Sequence, residues 1–235
     1  IRDRYINNEI GSIMPIDKIK KIIEMKKAPA LFHTDCVQAF GKVKISPRKL
    51  GADMISVTAH KIHGPKGTGA LYIKKGTRIL PRVFGGEQEK RMRPGTEASP
   101  LIAGFGAAAA ALPDTEMQSQ AVSGLNSYLR ELLSKIDGIQ FNSDENASPY
   151  ILNVYVPTFM RSQTIVQELS SKYEVYVSNG SACAKGKKSH VLAAMHLSDE
   201  IADKSIRISF SRFNTKQDCE ICAAAIKDLT EKHPR

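Results

Sequence analysis

Ile16, Ile19, Ile22 and Ile23 recur at helical spacing while Lys18, Lys20 and Lys21 fall between them, so residues 16–27 are predicted to form an amphipathic helix with its lysines in solvent. Three short runs follow: "ALFHTD", "ADMISVT" and "GALYIKK". Each is rich in apolar or β-branched residues, is bounded by turn signals, and reads as a strand. Strands alternating with a helix point to an α/β sheet, whose ligand sites lie beyond the carboxyl ends of its strands. Asp35 and Lys61 each stand at such an end.

After "RPGTEASP" the pattern changes to an alanine-rich helix, "LIAGFGAAAAAL", interrupted at Pro113. A second helix over 115–137 places Val122, Leu125, Leu129, Leu132, Leu133 and Ile136 on its inner stripe. Strands are predicted at "PYILNVYVP" and "YEVYVS", around a helix near 162–172. "SIRISFS" alternates most cleanly, with Ile206, Ile208 and Phe210 on one face and Arg207 and Ser209 on the other. A last helix starts near 215. The expected boundary separates residues 1–113, part of a larger sheet domain with flanking helices, from 114–235, a smaller C-terminal α/β domain. The opening "IRDRYINNEIG" enters with no sheet core before it, and an N-terminal portion is expected to precede it.

At 235 residues with 42% hydrophobic and 25% charged positions, the chain has an ordinary globular balance. No stretch reaches the apolar length that spans a bilayer, and the start lacks a signal-peptide core, so a cytoplasmic protein with no membrane role is expected. The net charge of +10 invites a nucleic-acid reading. The lysines are dispersed, however, and no nucleic-acid motif is present, so no direct nucleic-acid role is expected. Cys36, Cys183, Cys219 and Cys222 are too sparse for a disulfide framework. Cys219 and Cys222 share a helical stripe with Ala223, Ile226 and Leu229 and lack a second cysteine pair, which favours core packing over zinc. His190 and His196 flank "VLAAM" without metal-ligand partners, and Ser189 can cap a short helix there. No metal is expected.

The chemistry gathers in "ISVTAHKIHGPKGTGALYIKK". Lys61 alone would be a loop lysine. A partly desolvated amine at a strand end also loses its proton readily and can attack a carbonyl. "HTDCVQ" adds a carboxylate, Asp35, able to pair with a protonated pyridine nitrogen. "TAH" adds the hydroxyl of Thr58 and the imidazole of His60, both able to donate to a phosphate. Together they match the needs of pyridoxal phosphate. Cys183, in "SNGSACAKGKKSH", sits among small residues and lysines, surroundings that favour an accessible thiolate.

The segments "NNEIGSIMPI", "FHTDCVQAFGKV", "ADMISVTAHKIHGPKGTGALYIKKG", "GGEQEKRMRPGTE", "SNGSACAKG" and "SIRISFSRFNT" follow one another over nearly all of the chain. In these the chain resembles the cysteine desulfurases of the class V aminotransferase family. The resemblance implies a fold of the pyridoxal-phosphate-dependent aminotransferase type. It implies that Lys61 bonds covalently to the cofactor, that Asp35 meets its pyridine nitrogen, and that Gln38 and Asn8 lie near its phenolic oxygen. Thr58 and His60 correspond to phosphate ligands, and Thr96 of "PGTE" to a threonine that reaches the phosphate of a neighbouring subunit in a homodimer. Arg207 corresponds to the clamp on the substrate carboxylate, with Asn8 beside the substrate, and Cys183 to the persulfide carrier. The implied reaction is L-cysteine to L-alanine, with sulfur passed to an acceptor for iron–sulfur cluster assembly or tRNA thiolation. The family's glycine/threonine phosphate loop and its ring-stacking histidine are absent from the matching segments, and neither His33 nor His63 occupies the latter's position. The rivals are a selenocysteine lyase or transaminase of the same fold, a non-catalytic paralogue that dimerises with or scaffolds a complete enzyme, and a basic RNA-binding module.

Overall fold

Strand β1 (Arg2–Arg4) runs parallel to β2 (His33–Asp35), and β2 runs parallel to β3 (Met54–Thr58). β4 (Gly69–Ile73) pairs antiparallel with β3, giving a four-stranded sheet in the order β1-β2-β3-β4. The two parallel steps are made through α1 (Ile16–Met25) and the short α2 (Pro47–Leu50), as parallel neighbours require a crossover. These strands belong to the first of two compact units, Ile1–Tyr5 with Met14–Glu116; the second is Ile6–Ile13 with Met117–Arg235. The computed structural model describes residues 1–179 and 189–234.

The core of the first unit includes Ile16, Ile23, Phe32, Ile55 and Ile62. Asp53 is buried among them because its carboxylate accepts the Phe32 N–H at 2.8 Å and faces the Lys20 ammonium at 3.4 Å. Lys20 is drawn inward, and Ile22, predicted to face the core, is 55% exposed. β1 is a further difference. Its three polar residues gave no strand signal, and it forms because β2 offers an edge whose backbone groups need partners. α3 (Ser99–Ala110) has no buried residue, so its alanines reflect helix propensity and not core packing here.

The second unit holds an antiparallel sheet, β5 (Gln140–Phe141), β6 (Ile151–Tyr155) and β7 (Ser205–Ser209), in that order. Long helices α4 (Thr115–Leu133), α5 (Ser162–Tyr173) and α8 (Lys216–Lys232) accompany it, with the short α6 (His190–Ala194) and α7 (Asp199–Lys204). All five residues of β6 are buried, including Asn153. On β7 the expected alternation holds, Ile206 and Ile208 inward with Arg207 on the other face. The strand expected over 173–178 is not formed. Tyr173 ends α5, Glu174 takes a left-handed cap conformation (φ 55°), and only Ser178 pairs, in an isolated bridge to Arg207. Cys219 and Cys222 are buried in α8 beside Ala223, Ile226 and Leu229. Burial holds both thiols protonated, with Cys222 pushed up to about 12.

A full capping box starts α8: Thr215 accepts from the Asp218 N–H, and the Asp218 carboxylate accepts from the Thr215 N–H at 2.9 Å. These bonds, and the one from Asn214, hold the Asp218 carboxyl below its ordinary range. Thr215→Ala is expected to lower stability by about 1 kcal/mol, measured as a shift of the urea midpoint with unchanged slope. An unchanged midpoint would show that the cap contributes nothing.

Candidate active site

β2 and β3 are parallel and pair in register from His33↔Met54 to Asp35↔Ser56, so their carboxyl ends open on the same edge of the sheet. Asp35 is the last residue of β2, and Lys61 lies three residues beyond the end of β3. Thr58 ends β3 and hands over to a 3₁₀ turn, Ala59–Lys61, with Ala59 fully buried beneath it. The loop that follows is pinned back on this turn. Ile62 and Gly64 both donate their N–H to the Ala59 carbonyl at 3.0 Å, and Ala59 donates to the Thr68 carbonyl at 3.2 Å. His63 and Gly67 take left-handed backbone conformations (φ 66° and 88°), and those reversals let ten residues return to the strand edge. Lys61 is thereby held half-buried on a short, backbone-bonded base.

Beside it, the Thr58 hydroxyl donates to the Thr68 carbonyl at 3.1 Å and lies 3.0 Å from His60 Nδ1. The single hydroxyl proton is used on Thr68, so His60 Nδ1–H donates to Thr58 and the Nε2 edge is left for another group. Burial and the charges of Lys61 and Lys66 lower the His60 pKa. Two ammonium groups near an imidazole that can gain a second N–H make a donor set suited to an anion, whose arrival would reverse that depression.

Asp35 is tied down by the Val37 N–H, 3.0 Å from Oδ1, while Oδ2 faces Arg2 and Arg4 at 3.8 Å. Arg2 is mostly in solvent and Arg4 nearly half so, and at that separation screening leaves little net attraction. Gln38 is buried in the turn after Asp35, where its Oε1 accepts from Lys42 Nζ at 3.3 Å. The residues after Asp35 form successive turns and no regular helix. At the start of β2, His33, which the sequence reading set aside as a ring-stacking histidine, has Nε2 2.6 Å from the Ser56 hydroxyl. Burial, then Arg2, lowers the His33 pKa. Thr96 lies exposed in the segment before α3.

Asn8 and Arg207 belong to the second unit, where Arg207 Nη1 donates to the Asn8 carbonyl at 2.8 Å. Burial lowers the guanidinium pKa and the Glu9 carboxylate raises it again. Arg207 Nε is buried without a hydrogen-bond partner among the described residues, a donor whose capacity is unmet. Glu9 is a residue that sequence reasoning left unassigned, although "NNEIG" contains it. Cys183 lies outside the described residues. His190 and His196 are both exposed, and no cluster of metal-ligating side chains occurs among the described residues. Among them, too, no helix is long and apolar enough to cross a membrane.

The residues present fit pyridoxal phosphate by chemistry. An amine, a carboxylate and an imidazole–hydroxyl pair in a cationic setting stand on the ends of two neighbouring parallel strands.

Comparison with known proteins gives the same direction. The chain is 40% identical over 239 residues to a cysteine desulfurase of Gluconacetobacter diazotrophicus, covering 98% of the chain and 59% of that relative. It is 36% identical to a mitosomal cysteine desulfurase of Encephalitozoon cuniculi, over 97% of the chain and 54% of the relative. The chain therefore spans a little over half the length of these relatives. In structure it matches a NifS-like protein of Rickettsia africae with a TM-score of 0.87 at 32% identity, over 98% of the chain and 61% of that protein. It also matches SspA, solved in complex with cysteine, with a TM-score of 0.73 at 32% identity over 92% of the chain and 59% of that protein. Residues 4–221 match the family model described as "Aminotransferase class-V", and with that match the chain belongs to the class-V aminotransferase family.

Proposed function

We propose that this chain carries the cofactor-attachment and sulfur-handling residues of a pyridoxal-phosphate-dependent cysteine desulfurase. The observation that carries the reading is the common edge of β2 and β3, with Asp35 ending one strand and Lys61 following the other, in a chain 36–40% identical to cysteine desulfurases.

Bound at this edge, pyridoxal phosphate supplies an electron sink for the carbons next to the substrate nitrogen. Lys61 Nζ would hold the cofactor and, as a free amine, would move a proton at the substrate Cα. Asp35 would keep the pyridine nitrogen protonated, and Thr58 and His60 would bind the phosphate. Gln38 would serve the cofactor's phenolic oxygen, and Asn8 is assigned to that oxygen and to the substrate by the resemblance. Arg207 would bind the substrate carboxylate, a charge-assisted contact that fixes the orientation of Cα. Cys183 takes the sulfur: the substrate Cβ–S bond breaks, an S–S bond to Cys183 forms, and the electron pair left at Cβ takes a proton to give the methyl group of L-alanine. The persulfide then passes to a sulfur-acceptor protein, a cluster scaffold or a tRNA-thiolation protein. Thr96 reaches the phosphate of a second subunit, which makes the working protein a homodimer, and the cytoplasm is its expected compartment.

Cys183→Ala tests this reading. In the full-length protein it is expected to lower alanine release from L-cysteine by at least about tenfold, because the sulfur loses its nucleophile, while the affinity for L-cysteine stays near that of the unmodified protein. Alanine and sulfide release at the normal rate would rule the reading out, and turnover of selenocysteine with none of cysteine would move it to a selenocysteine lyase.

A further inference from the structure

Within the second unit, the chain is fastened near Arg207 on both sides of the segment that contains Cys183. On the N-terminal side, Ser178 and Arg207 exchange two backbone hydrogen bonds: the Ser178 N–H donates to the Arg207 carbonyl at 3.1 Å, and the Arg207 N–H donates to the Ser178 carbonyl at 2.6 Å. On the C-terminal side, the Ser189 hydroxyl donates to the Glu9 carboxylate. Glu9 directly follows Asn8, whose carbonyl holds the Arg207 guanidinium.

Glu9 is built to stay in place. Its side chain is 1% exposed, a position a carboxylate keeps only with polar compensation. Its N–H donates to Asn7 Oδ1 at 2.8 Å, and its carbonyl accepts from Asn153 Nδ2 at 3.3 Å. Ser189 in turn accepts the Leu192 N–H at 3.1 Å as the N-cap of α6. The hydroxyl's one proton goes to Glu9 and its lone pair to the helix, so the carboxylate sets the orientation in which the cap works.

We propose that Glu9 is a positioning residue for sulfur transfer: through Ser189 it fixes the chain end from which Cys183 is presented, beside the arginine that binds the substrate carboxylate. The proposal rests on the desulfurase reading of Cys183 and Arg207. A tether needs an acceptor of glutamate's length, whereas mere neutralisation of Arg207 needs only the charge. Three variants separate these roles. Glu9→Ala removes both, Glu9→Gln keeps the acceptor, and Ser189→Ala keeps the charge.

The test is made in the full-length holoenzyme with L-cysteine as substrate and alanine as the product measured. Glu9→Ala and Ser189→Ala are expected to lower kcat about fivefold, the factor that loss of one cap hydrogen bond implies, with KM within about twofold, and Glu9→Gln to recover most of the lost kcat. Hydrogen exchange at the α6 amides, followed by mass spectrometry with no substrate present, is expected to quicken by a similar factor in Glu9→Ala and Ser189→Ala but not in Glu9→Gln. Ser189→Ala also guards against a Glu9 variant that fails to fold. A changed KM shared by Glu9→Gln and Glu9→Ala, with α6 exchange unaltered, would overturn the tether in favour of charge neutralisation. No change in either readout would overturn it outright. If the unmodified enzyme makes no alanine from cysteine, the desulfurase reading fails, while the exchange rates still decide whether Glu9 holds α6.

Discussion

Lys61→Ala is expected to abolish the visible absorbance band that forms when pyridoxal phosphate is added to the purified protein, and to lower alanine formation from L-cysteine by about 10³-fold, the scale of a lost general acid–base group. The effect should be chemical and not structural. The bonds that close the turn under Lys61, from Ile62 and Gly64 to Ala59 and from Ala59 to Thr68, all belong to the backbone. An alanine side chain leaves them untouched, and the urea midpoint should hardly move. A band that survives the substitution would remove Lys61 from the covalent role and direct attention to Lys66, the other ammonium whose charge reaches His60.

Asn153→Ala is expected to have the largest effect on stability, roughly 2–3 kcal/mol, because it strips partners from several buried groups at once. Asn153 is fully buried at the centre of β6. Its Oδ1 accepts from Asn142 Nδ2 at 2.8 Å, and the same Asn142 amide reaches the Ser205 hydroxyl at 2.9 Å on β7. Its Nδ2 reaches the Glu9 carbonyl, so the substitution also loosens the turn that supports Arg207. Chemical denaturation followed by a probe in the second unit would show the loss as a lower midpoint. A shift worth less than about 0.5 kcal/mol, the range of ordinary surface substitutions, would mean that the amide network relaxes freely.

The two cases mark where the sequence was legible and where it was not. Lys61 and Asp35 could be found because strand ends announce themselves: a short apolar run stops, turn residues follow, and a charged side chain stands at the break. Arg207 was placed on the polar face by the period of β7 alone. Asn153 and Glu9 carry no such mark. "YILNVYV" reads as an apolar strand with one polar interruption, and nothing local says that its side-chain amide closes a network with residues 11 and 144 positions away. β1 escaped notice for a related reason, since Arg2–Arg4 becomes a strand only through pairing with residues some thirty positions on. The 173–178 run shows the opposite failure. Its aromatic and β-branched residues carry strand propensity, but without a continuous partner only Ser178 pairs.

β7 spans five residues, and its alternation has a consequence for how this chain can change over generations. Side chains in a strand repeat every second residue, so deleting a single residue between Ile206 and Phe210, or inserting one, exchanges the two faces of everything beyond it. An insertion between Ile206 and Arg207, for example, would drive the guanidinium into the inward position now filled by Ile208 and take Arg207 out of its pairing with Ser178. Point substitutions here can be graded and partly repaired; length changes cannot. The strand's residue count is therefore as firmly constrained as the identity of the arginine it carries, whereas length variation can be absorbed in the turn at 211–214 that follows.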